Sequence, residues 1–279
     1  MKPDRLEATT AHQRTGGWAL LRRHFARWLP TYLAVAALPF IIGTWYLLSD
    51  TGFVHRILLP PPGPVAIAFI ELIGSPDFSR HLLRTASEFA IGFAAGVTIG
   101  FCLGLVLSVF AFLRKAYFSL IAGFDAIPSI VLAPLIITWF GFGIESKVVQ
   151  AAIVCFFSVF ITTLAGLAMT SEDEIRLMRV LRASRWQAFT KMRLPNALPA
   201  IFGGLKIAVT LALVGAVVSE FVAADAGLGF LMMQYRARFD TATVFGLIAI
   251  FAAIGMMGFL LIERIERYVV FWRHGSRSG

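Results

Sequence analysis

Long runs without a charged residue constrain this chain more than any other feature. Residues 28–49, 89–113 and 241–262 contain no Asp, Glu, Lys or Arg, and about 20 apolar residues are enough to cross the hydrocarbon core of a membrane. The whole chain is 58% hydrophobic and 15% charged, with a mean hydropathy of +0.78, whereas a soluble domain is about a quarter charged. The sequence therefore predicts an all-α, polytopic membrane protein.

Six segments fit membrane-spanning helices. The predicted spans are 28–49, 85–112, 116–141, 148–170, 200–223 and 241–262. They form a transmembrane domain over 28–264, with polar tails over 1–27 and 265–279. A charged loop over 171–199 separates the fourth span from the fifth.

Prolines are expected to interrupt helices in two regions of the chain. In the third span, Pro128 and Pro134 predict a kink or a locally unwound turn, because proline removes a helical hydrogen bond. The run PPPGP at 60–64 predicts that no helix forms there, and a short interfacial helix is expected over 65–73.

The net charge of +9 follows membrane topology. Of the 25 Lys and Arg residues, 19 lie in the tails, in the turn at 114–115 and between Arg176 and Lys206, which six spans place on one side. Cytoplasmic loops carry the excess of positive charge. Both termini and the 171–199 loop are therefore predicted to be cytoplasmic, and no nucleic-acid binding is expected.

Glycines recur at every fourth position in the second span, at Gly92, Gly96, Gly100 and Gly104. Small residues at this spacing let two helix backbones approach closely in a lipid environment. We expect this stripe to be a helix-packing face.

The stretch from Ser171 to Pro199 is the longest charge-dense segment between apolar runs. The pairs Ser171 with Glu174 and Ser184 with Gln187 fit two capping boxes, which predict two short helices in succession. Trp186, Phe189 and Met192 give the second helix one apolar face, and Pro195 and Pro199 are expected to end it. Such an element suits docking on a partner; the alternative is a solvated basic loop beside the membrane.

An ionisable residue inside a span is costly and is a functional candidate by default. Glu220, late in the fifth span, is the best candidate for a solute pathway; its alternative is a packing role with a polar neighbour. Asp125 and Pro128 in the third span are further candidates, and Asp125 could instead be solvated at the cytoplasmic end. Trp139 suits a solute contact or an interfacial aromatic belt. Other charges in or near the spans are expected close to the membrane surfaces: Glu88, Lys147 and Lys206.

No nucleophile with its base, paired acids or metal-ligand spacing occurs in the sequence, and the phosphate-binding pattern G-x-x-x-x-G-K-[ST] is absent. We therefore expect a non-catalytic chain with no metal or cofactor of its own.

The run MRVLRASRWQAFTKMRLPNALPAIFGGLKIA resembles the cytoplasmic E-A-A signature of permease subunits of binding-protein-dependent ABC importers. That pattern is E-A-A-x-x-x-G, nine residues, then I-x-L-P. Anchored on Leu194 and Pro195, its isoleucine position is Met192 and its glycine position is Arg182. Its Glu-Ala-Ala positions are filled by Arg176, Leu177 and Met178. Arg182 disfavours the left-handed turn that glycine would allow, so the Ser184 cap is expected to hold the break one or two residues later.

The segments IPSIVLAPLIITWFGFGIESKVV and LVGAVVSEFVAADAGLGFLM resemble the sulfonate, nitrate and taurine branch of this family. Details such as K-x-R-L-P lean toward members that import thiamine-precursor pyrimidines or riboflavin. The resemblance implies a bacterial inner-membrane permease that acts as a homodimer. It also implies two separate ATP-binding subunits, which carry ATP and Mg, and a periplasmic solute-binding protein.

The resemblance further implies that the loop couples the permease to the ATP-binding subunits, with Trp186 and Phe189 supplying the main contacts. The implied coupling residues are Arg176, Arg179, Arg182, Ala183, Ser184, Arg185, Trp186, Phe189, Met192, Leu194 and Pro195. Two other hypotheses remain open at this point: a membrane-embedded enzyme that uses Glu220 or Asp125, and a stand-alone carrier.

Overall fold

The computed structural model describes residues 36–37, 39–52 and 54–273, and every regular element in these ranges is a helix. The chain divides into two compact units, 1–66 and 67–279. In the first unit, helix α1 covers 39–50, and the Trp45 indole N–H donates to the Pro60 carbonyl. Residues 28–35 of the predicted first span, 28–49, lie outside the described residues.

Helix α2 covers Pro62–Gly74, so the prediction of no helix at 60–64 is wrong for its last three residues. Proline is tolerated in the first turn of a helix, where its missing N–H would have no intrahelical partner. The remaining elements follow in order: α3 Phe78–Val109, α4 Ala111–Asp125, α5 Ser129–Phe140, α6 Ile144–Ala168, α7 Glu172–Val180, α8 Arg185–Ala188, a π-helical turn Phe189–Arg193, α9 Leu194–Val222, α10 Leu228–Ala237, α11 Thr241–Val269 and a 3₁₀ turn Phe271–Arg273.

Within the described part of the chain, four helical stretches are long and apolar enough to cross a membrane. They are Phe78–Val109, Ile144–Ala168, Arg185–Val222 and Thr241–Val269. Each of them overlaps one of the spans predicted over 85–112, 148–170, 200–223 and 241–262. The all-α, polytopic membrane architecture predicted from the sequence is thus confirmed.

Helix α6 is the centre of the second unit, between α3 and α9. The glycine stripe of α3 is buried against α6, which confirms the packing face predicted from its spacing. A Cβ on Gly100 would lie 2.7 Å from the Phe156 carbonyl oxygen, and one on Gly104 would lie 2.9 Å from the Thr163 Cβ. On the opposite side, a Cβ on Gly215 of α9 would lie 2.8 Å from the Ala151 Cα. Small residues therefore set the closest approaches of all three helices.

The predicted third span, 116–141, is interrupted as its prolines suggested. Helix α4 ends at Asp125, and α5 begins at Ser129 directly after Pro128. Pro134 lies inside α5 without ending it. The region thus holds two short helices of 15 and 12 residues in place of one continuous helix.

Pro195 and Pro199 do not end the helix that starts at Ser184, so that prediction is wrong. A π-helical turn links α8 to α9, and in it the Leu194 N–H donates to the Phe189 carbonyl, five residues earlier. Pro195 then falls in the first turn of α9, where a missing N–H costs little. Pro199 lies inside α9, where packing of its neighbours Ala197 and Ile201 supports the helix. The result is one helical rod from Arg185 to Val222.

Candidate functional site

The segment Ser171–Pro199, here called the docking segment, begins with the predicted capping box. Ser171 Oγ accepts the Glu174 N–H at 3.2 Å, and the Glu174 carboxylate accepts the Ser171 N–H at 2.9 Å. This last bond holds the pKa of Glu174 below its usual value. The second box, between Ser184 and Gln187, repeats both bonds at the same lengths. The two predicted short helices are therefore present.

Arg182, at the position where the family pattern has glycine, adopts the left-handed conformation with φ +52°. The Ala183 N–H donates to the Met178 carbonyl and the Arg182 N–H to the Arg179 carbonyl, both at 3.0 Å. These two bonds define a Schellman motif at the end of α7. The expectation that arginine would move the break to a later residue is wrong, because the two bonds hold the turn at Arg182. The left-handed conformation costs a residue with a Cβ about 1–2 kcal/mol.

The predicted apolar face of the docking segment is divided between two environments. Trp186 is 71% exposed, whereas Phe189 packs against the buried cluster of Leu167, Ala197 and Ile201. The two rings stack with their centroids 5.9 Å apart. Phe189 therefore supports Trp186 from inside the protein, and Trp186 is the exposed member of this pair.

Three further apolar side chains of the docking segment, which sequence reasoning missed, are also exposed. Leu177 and Val180 lie on α7, and Leu181 lies in the turn that follows. They were passed over because apolar residues on an amphipathic helix usually face a core. The remaining predicted coupling residues divide by exposure. Arg176, Arg179, Arg182, Ser184 and Arg185 are exposed, and Ala183, Met192, Leu194 and Pro195 are half-buried.

The Glu174 carboxylate also ties the docking segment to the bundle, because it accepts the Asn196 side-chain N–H of α9 at 3.0 Å. Arg176 forms exposed ion pairs with Glu172 at 3.4 Å and Asp173 at 3.7 Å. Lys206, expected near the membrane surface, pairs with Glu266 of α11 at 2.6 Å.

At the other end of α9, Glu220 is 2% exposed and both of its carboxylate oxygens are occupied. Oε1 accepts the Thr85 hydroxyl at 2.6 Å, and Oε2 accepts the Gly229 N–H at 2.5 Å. Thr85 Oγ1 in turn accepts the Leu228 N–H at 2.7 Å, and His81 Nδ1 accepts the Gly227 N–H at 3.0 Å. Three successive amides at the start of α10 are thus held by side chains of α3 and α9.

The two glycines of the A-G-L-G-F motif are explained by Glu220. Gly227 has φ +124°, and a Cβ on it would collide with the Glu220 carboxylate. A Cβ on Gly229 would lie 2.7 Å from Glu220 Oε2. Only glycine lets the backbone approach this closely, so the motif and the glutamate form one structural unit.

A second carboxyl group, Glu88, lies beside Glu220 and brings two basic side chains into the same cluster. Glu88 is fully buried beside it and accepts Arg84 Nε at 2.7 Å. The buried Lys147 ammonium donates to the Phe142 carbonyl at 2.6 Å and interacts electrostatically with Glu88 and Glu220. Glu88 and Lys147, which were expected close to the membrane surface, are both buried inside the protein. Buried ionisable groups persist when they are paired, and this Glu220 cluster contains two carboxyl groups and two basic side chains.

The other three pathway candidates lie elsewhere. Trp139 lines an apolar cavity of about 650 Å³ between α3, α4, α5 and α6, together with Phe124, Ile127 and Phe156. Asp125 and Pro128 are exposed in the break next to Phe124 and Ile127. The structure therefore brings Asp125, Pro128 and Trp139 to one region and places Glu220 in a separate cluster.

Comparison with known proteins agrees with this architecture. Residues 66–271 match the family described as binding-protein-dependent transport system inner membrane component. The chain is 34% identical over 216 residues to the formylaminopyrimidine transport permease protein ThiX of Halalkalibacterium halodurans, covering 77% of this chain and 86% of ThiX. It is 37% identical over 215 residues to the riboflavin transport system permease protein RibX of Chloroflexus aurantiacus, covering 77% and 80%.

The putative aliphatic sulfonates transport permease protein SsuC of Bacillus subtilis is 32% identical over 235 residues, covering 84% of this chain and 85% of SsuC. Among solved structures, an inward-facing MetNI methionine ABC transporter matches 69% of this chain and 95% of its own chain, with a TM-score of 0.61 at 20% identity. That likeness shows a common fold. On the family match and these relatives together, the chain belongs to the binding-protein-dependent transport system inner membrane components and is a permease subunit of an ABC importer.

Proposed function

We propose that two copies of this chain form the solute pathway of an importer and are driven by two separate ATP-binding subunits. Both termini and the docking segment face the cytoplasm, and a periplasmic solute-binding protein delivers the solute from the other side. ATP and Mg bind to the partner subunits. The solute is a thiamine-precursor pyrimidine or riboflavin, and the alternative is a sulfonate, taurine or nitrate.

The docking segment is the observation that carries this proposal. Leu177, Val180, Leu181 and Trp186 are exposed apolar side chains, and the arginines next to them in the sequence are exposed too. An apolar helix face with a charged rim suits insertion into a groove on a partner. Both helices of the segment start with complete capping boxes, so the surface is ordered before a partner binds.

The break between α4 and α5 supports a pathway shared by two copies. Non-helical backbone at membrane depth is tolerated where it is covered by protein or lines a water-filled cavity, and not where it faces lipid. Residues 126–128 are non-helical and exposed, and the Asp125 carboxylate beside them is exposed too. A second copy that covers this surface would enclose Asp125, Pro128 and Trp139 in the pathway.

Of the two roles considered for Glu220, its contacts favour the structural one. Its carboxylate oxygens accept hydrogen bonds from α3 and α10. We therefore assign Glu220 to the positioning of α10, and the solute contacts to the α4–α5 region.

The cavity lining favours a planar heterocycle over a sulfonate. Its walls are apolar and include Phe124, Trp139, Phe156 and Phe157. Aromatic side chains stack on planar rings, whereas a sulfonate needs charged or N–H partners. The relatives named for formylaminopyrimidine and riboflavin support the same order of preference.

The test is the ATPase activity of the purified complex, made by co-expression with the ATP-binding subunit and solute-binding protein encoded beside this permease. The binding protein would be loaded in turn with hydroxymethylpyrimidine, formylaminopyrimidine, riboflavin, taurine, alkanesulfonates and nitrate. Stimulation by a pyrimidine or riboflavin alone is the expected result. Stimulation by a sulfonate, taurine or nitrate would replace the substrate assignment, and failure to form a stable complex with any ATP-binding subunit would contradict the coupling role.

A further inference from the structure

The turn between α10 and α11 carries a bulky residue in a conformation that suits glycine. Phe239 has φ +58°, which for an aromatic side chain is a genuine outlier. The Asp240 N–H donates to the Tyr235 carbonyl at 3.0 Å, and the Phe239 N–H donates to the Arg236 carbonyl at 3.1 Å. These bonds form a Schellman motif, whose left-handed position is usually glycine or asparagine.

The Phe239 ring receives little packing from the described part of its own chain, because it is 76% exposed. Strained backbone positions persist where a functional contact requires them. A large apolar side chain that is both strained and exposed therefore indicates a contact outside this chain.

Two exposed arginines accompany the ring. Arg236 lies in the last turn of α10 and Arg238 directly precedes Phe239. The Arg238 guanidinium lies over the Tyr235 ring at 5.8 Å from its centroid. In the proposed topology this turn is periplasmic, on the side that holds only six of the 25 Lys and Arg residues. Arginine beside an aromatic ring is the composition favoured at the energetic centres of protein interfaces.

The turn is also fixed in position on both sides. The first turn of α10 is bonded to Thr85 and Glu220, and the Asp240 carboxylate caps α11 by accepting the Thr243 N–H at 3.1 Å. A contact that is ordered in advance loses little conformational freedom on binding.

We propose that Phe239, Arg236 and Arg238 form a docking corner that inserts into an apolar pocket with an acidic rim on the solute-binding protein. This inference rests on the proposed function and its topology. Lipid is the rival occupant, but a ring in lipid gains the same burial from any backbone conformation. Insertion into a shaped protein pocket depends on the direction of the ring, so it explains the left-handed conformation of Phe239, whereas burial in lipid does not.

The experiment measures binding of the fluorescently labelled solute-binding protein encoded beside this permease to the assembled complex in phosphatidylcholine nanodiscs. Phe239→Asn removes the ring and keeps a residue that accepts the left-handed turn, so its thermal stability should equal or exceed that of wild type. We expect the Kd to rise ten-fold or more. Arg238→Gln should raise it several-fold at low salt and less at high salt, because exposed charges are screened.

Arg80→Gln is the matched control, since Arg80 is another exposed arginine on the same proposed side, and its Kd should stay within two-fold of wild type. Wild-type affinity in Phe239→Asn would overturn the inference while leaving the proposed function in place. If that variant binds normally but associates less with vesicles of anionic lipid, the corner is a lipid contact and the inference is wrong. If the wild-type complex itself fails to bind, the proposed function fails with it.

Discussion

The carboxylate of Glu220, near the end of α9, accepts the backbone N–H of Gly229 in the first turn of α10 at 2.5 Å. This bond folds α10 back onto the helix that precedes it. A carboxylate at a helix N-terminus is favourable because the unpaired amides there carry partial positive charge. Glu220 therefore shares with His81 and Thr85 the positioning of the start of α10.

Glu220→Ala should destabilise the protein strongly. It removes the acceptor for two hydrogen bonds and a carboxyl partner of the buried Lys147, a change that typically costs about 3–5 kcal/mol. Glu220→Gln, which keeps one acceptor oxygen, should cost less. Thermal unfolding in detergent would measure both, with the exposed Glu71→Ala as control. Equal melting temperatures for Glu220→Ala and Glu71→Ala would contradict the role assigned to this cluster.

The glycine stripe makes a prediction with an internal control. Gly100→Ala places a methyl group against the Phe156 carbonyl, so α3 must move away from α6 and the protein should lose about 1–3 kcal/mol. Gly203→Ala in α9 meets nothing within 4 Å and should be neutral or stabilising by up to about 1 kcal/mol. The two melting temperatures, compared under the same conditions, check both. Similar shifts in both variants would argue against close packing of α3 on α6.

Arg182→Gly should stabilise the turn after α7 by about 1 kcal/mol, because glycine adopts a left-handed conformation without the Cβ penalty. Arg182→Ala removes the same charge and keeps the penalty, so it should give no gain. The difference in melting temperature between these two variants isolates the backbone effect. Equal stability of the two would show that Arg182 is not strained.

Trp186→Ala and Phe189→Ala should have different consequences. Trp186 is exposed, so its loss should leave stability nearly unchanged and reduce retention of the ATP-binding subunit during purification. Phe189 packs inside, so its loss should lower the melting temperature by the equivalent of about 2–4 kcal/mol. Measuring both properties for both variants separates docking from folding. Full retention of the ATP-binding subunit by Trp186→Ala would remove that residue from the coupling surface.

The Glu174 capping box should respond to acid. Because the Ser171 N–H lowers the pKa of Glu174, the stabilisation is complete above the ordinary glutamate pKa and is lost as pH falls through the lower pKa of the folded state. Hydrogen exchange at the start of α7, corrected for the intrinsic pH dependence, should show this loss. Glu174→Gln keeps a capping side chain that does not titrate, so protection there should be independent of pH. If Glu174→Gln lost protection at low pH in the same way, the acid response would come from another titrating group.

Patterns that depend on near neighbours in the sequence predicted the structure well. The capping boxes at Ser171 and Ser184 and the glycine stripe from Gly92 follow from spacings of three or four residues. The break at Pro128 follows from a single proline. In each case the physical cause lies within one helical turn, so no knowledge of the fold was needed.

Features that depend on distant partners could not be predicted in this way. Glu88 and Lys147 are buried in a cluster with Glu220, which lies more than 70 residues further along the chain. The strain at Arg182 and Phe239 depends on hydrogen bonds that close only once the helices have formed. The prediction that Pro195 and Pro199 end a helix failed because neither the π-helical turn before Pro195 nor the packing around Pro199 leaves a pattern in the sequence.

The continuity of the helical rod from Arg185 to Val222 has a mechanical consequence. Its 38 residues extend about 55 Å at 1.5 Å per residue, well beyond the roughly 30 Å thickness of the hydrocarbon core. Trp186 projects from its first turn and Glu220 from its last. A tilt imposed on the rod at one membrane face must therefore displace the start of α10 at the other. The rod can act as a lever that pivots where it packs against α6.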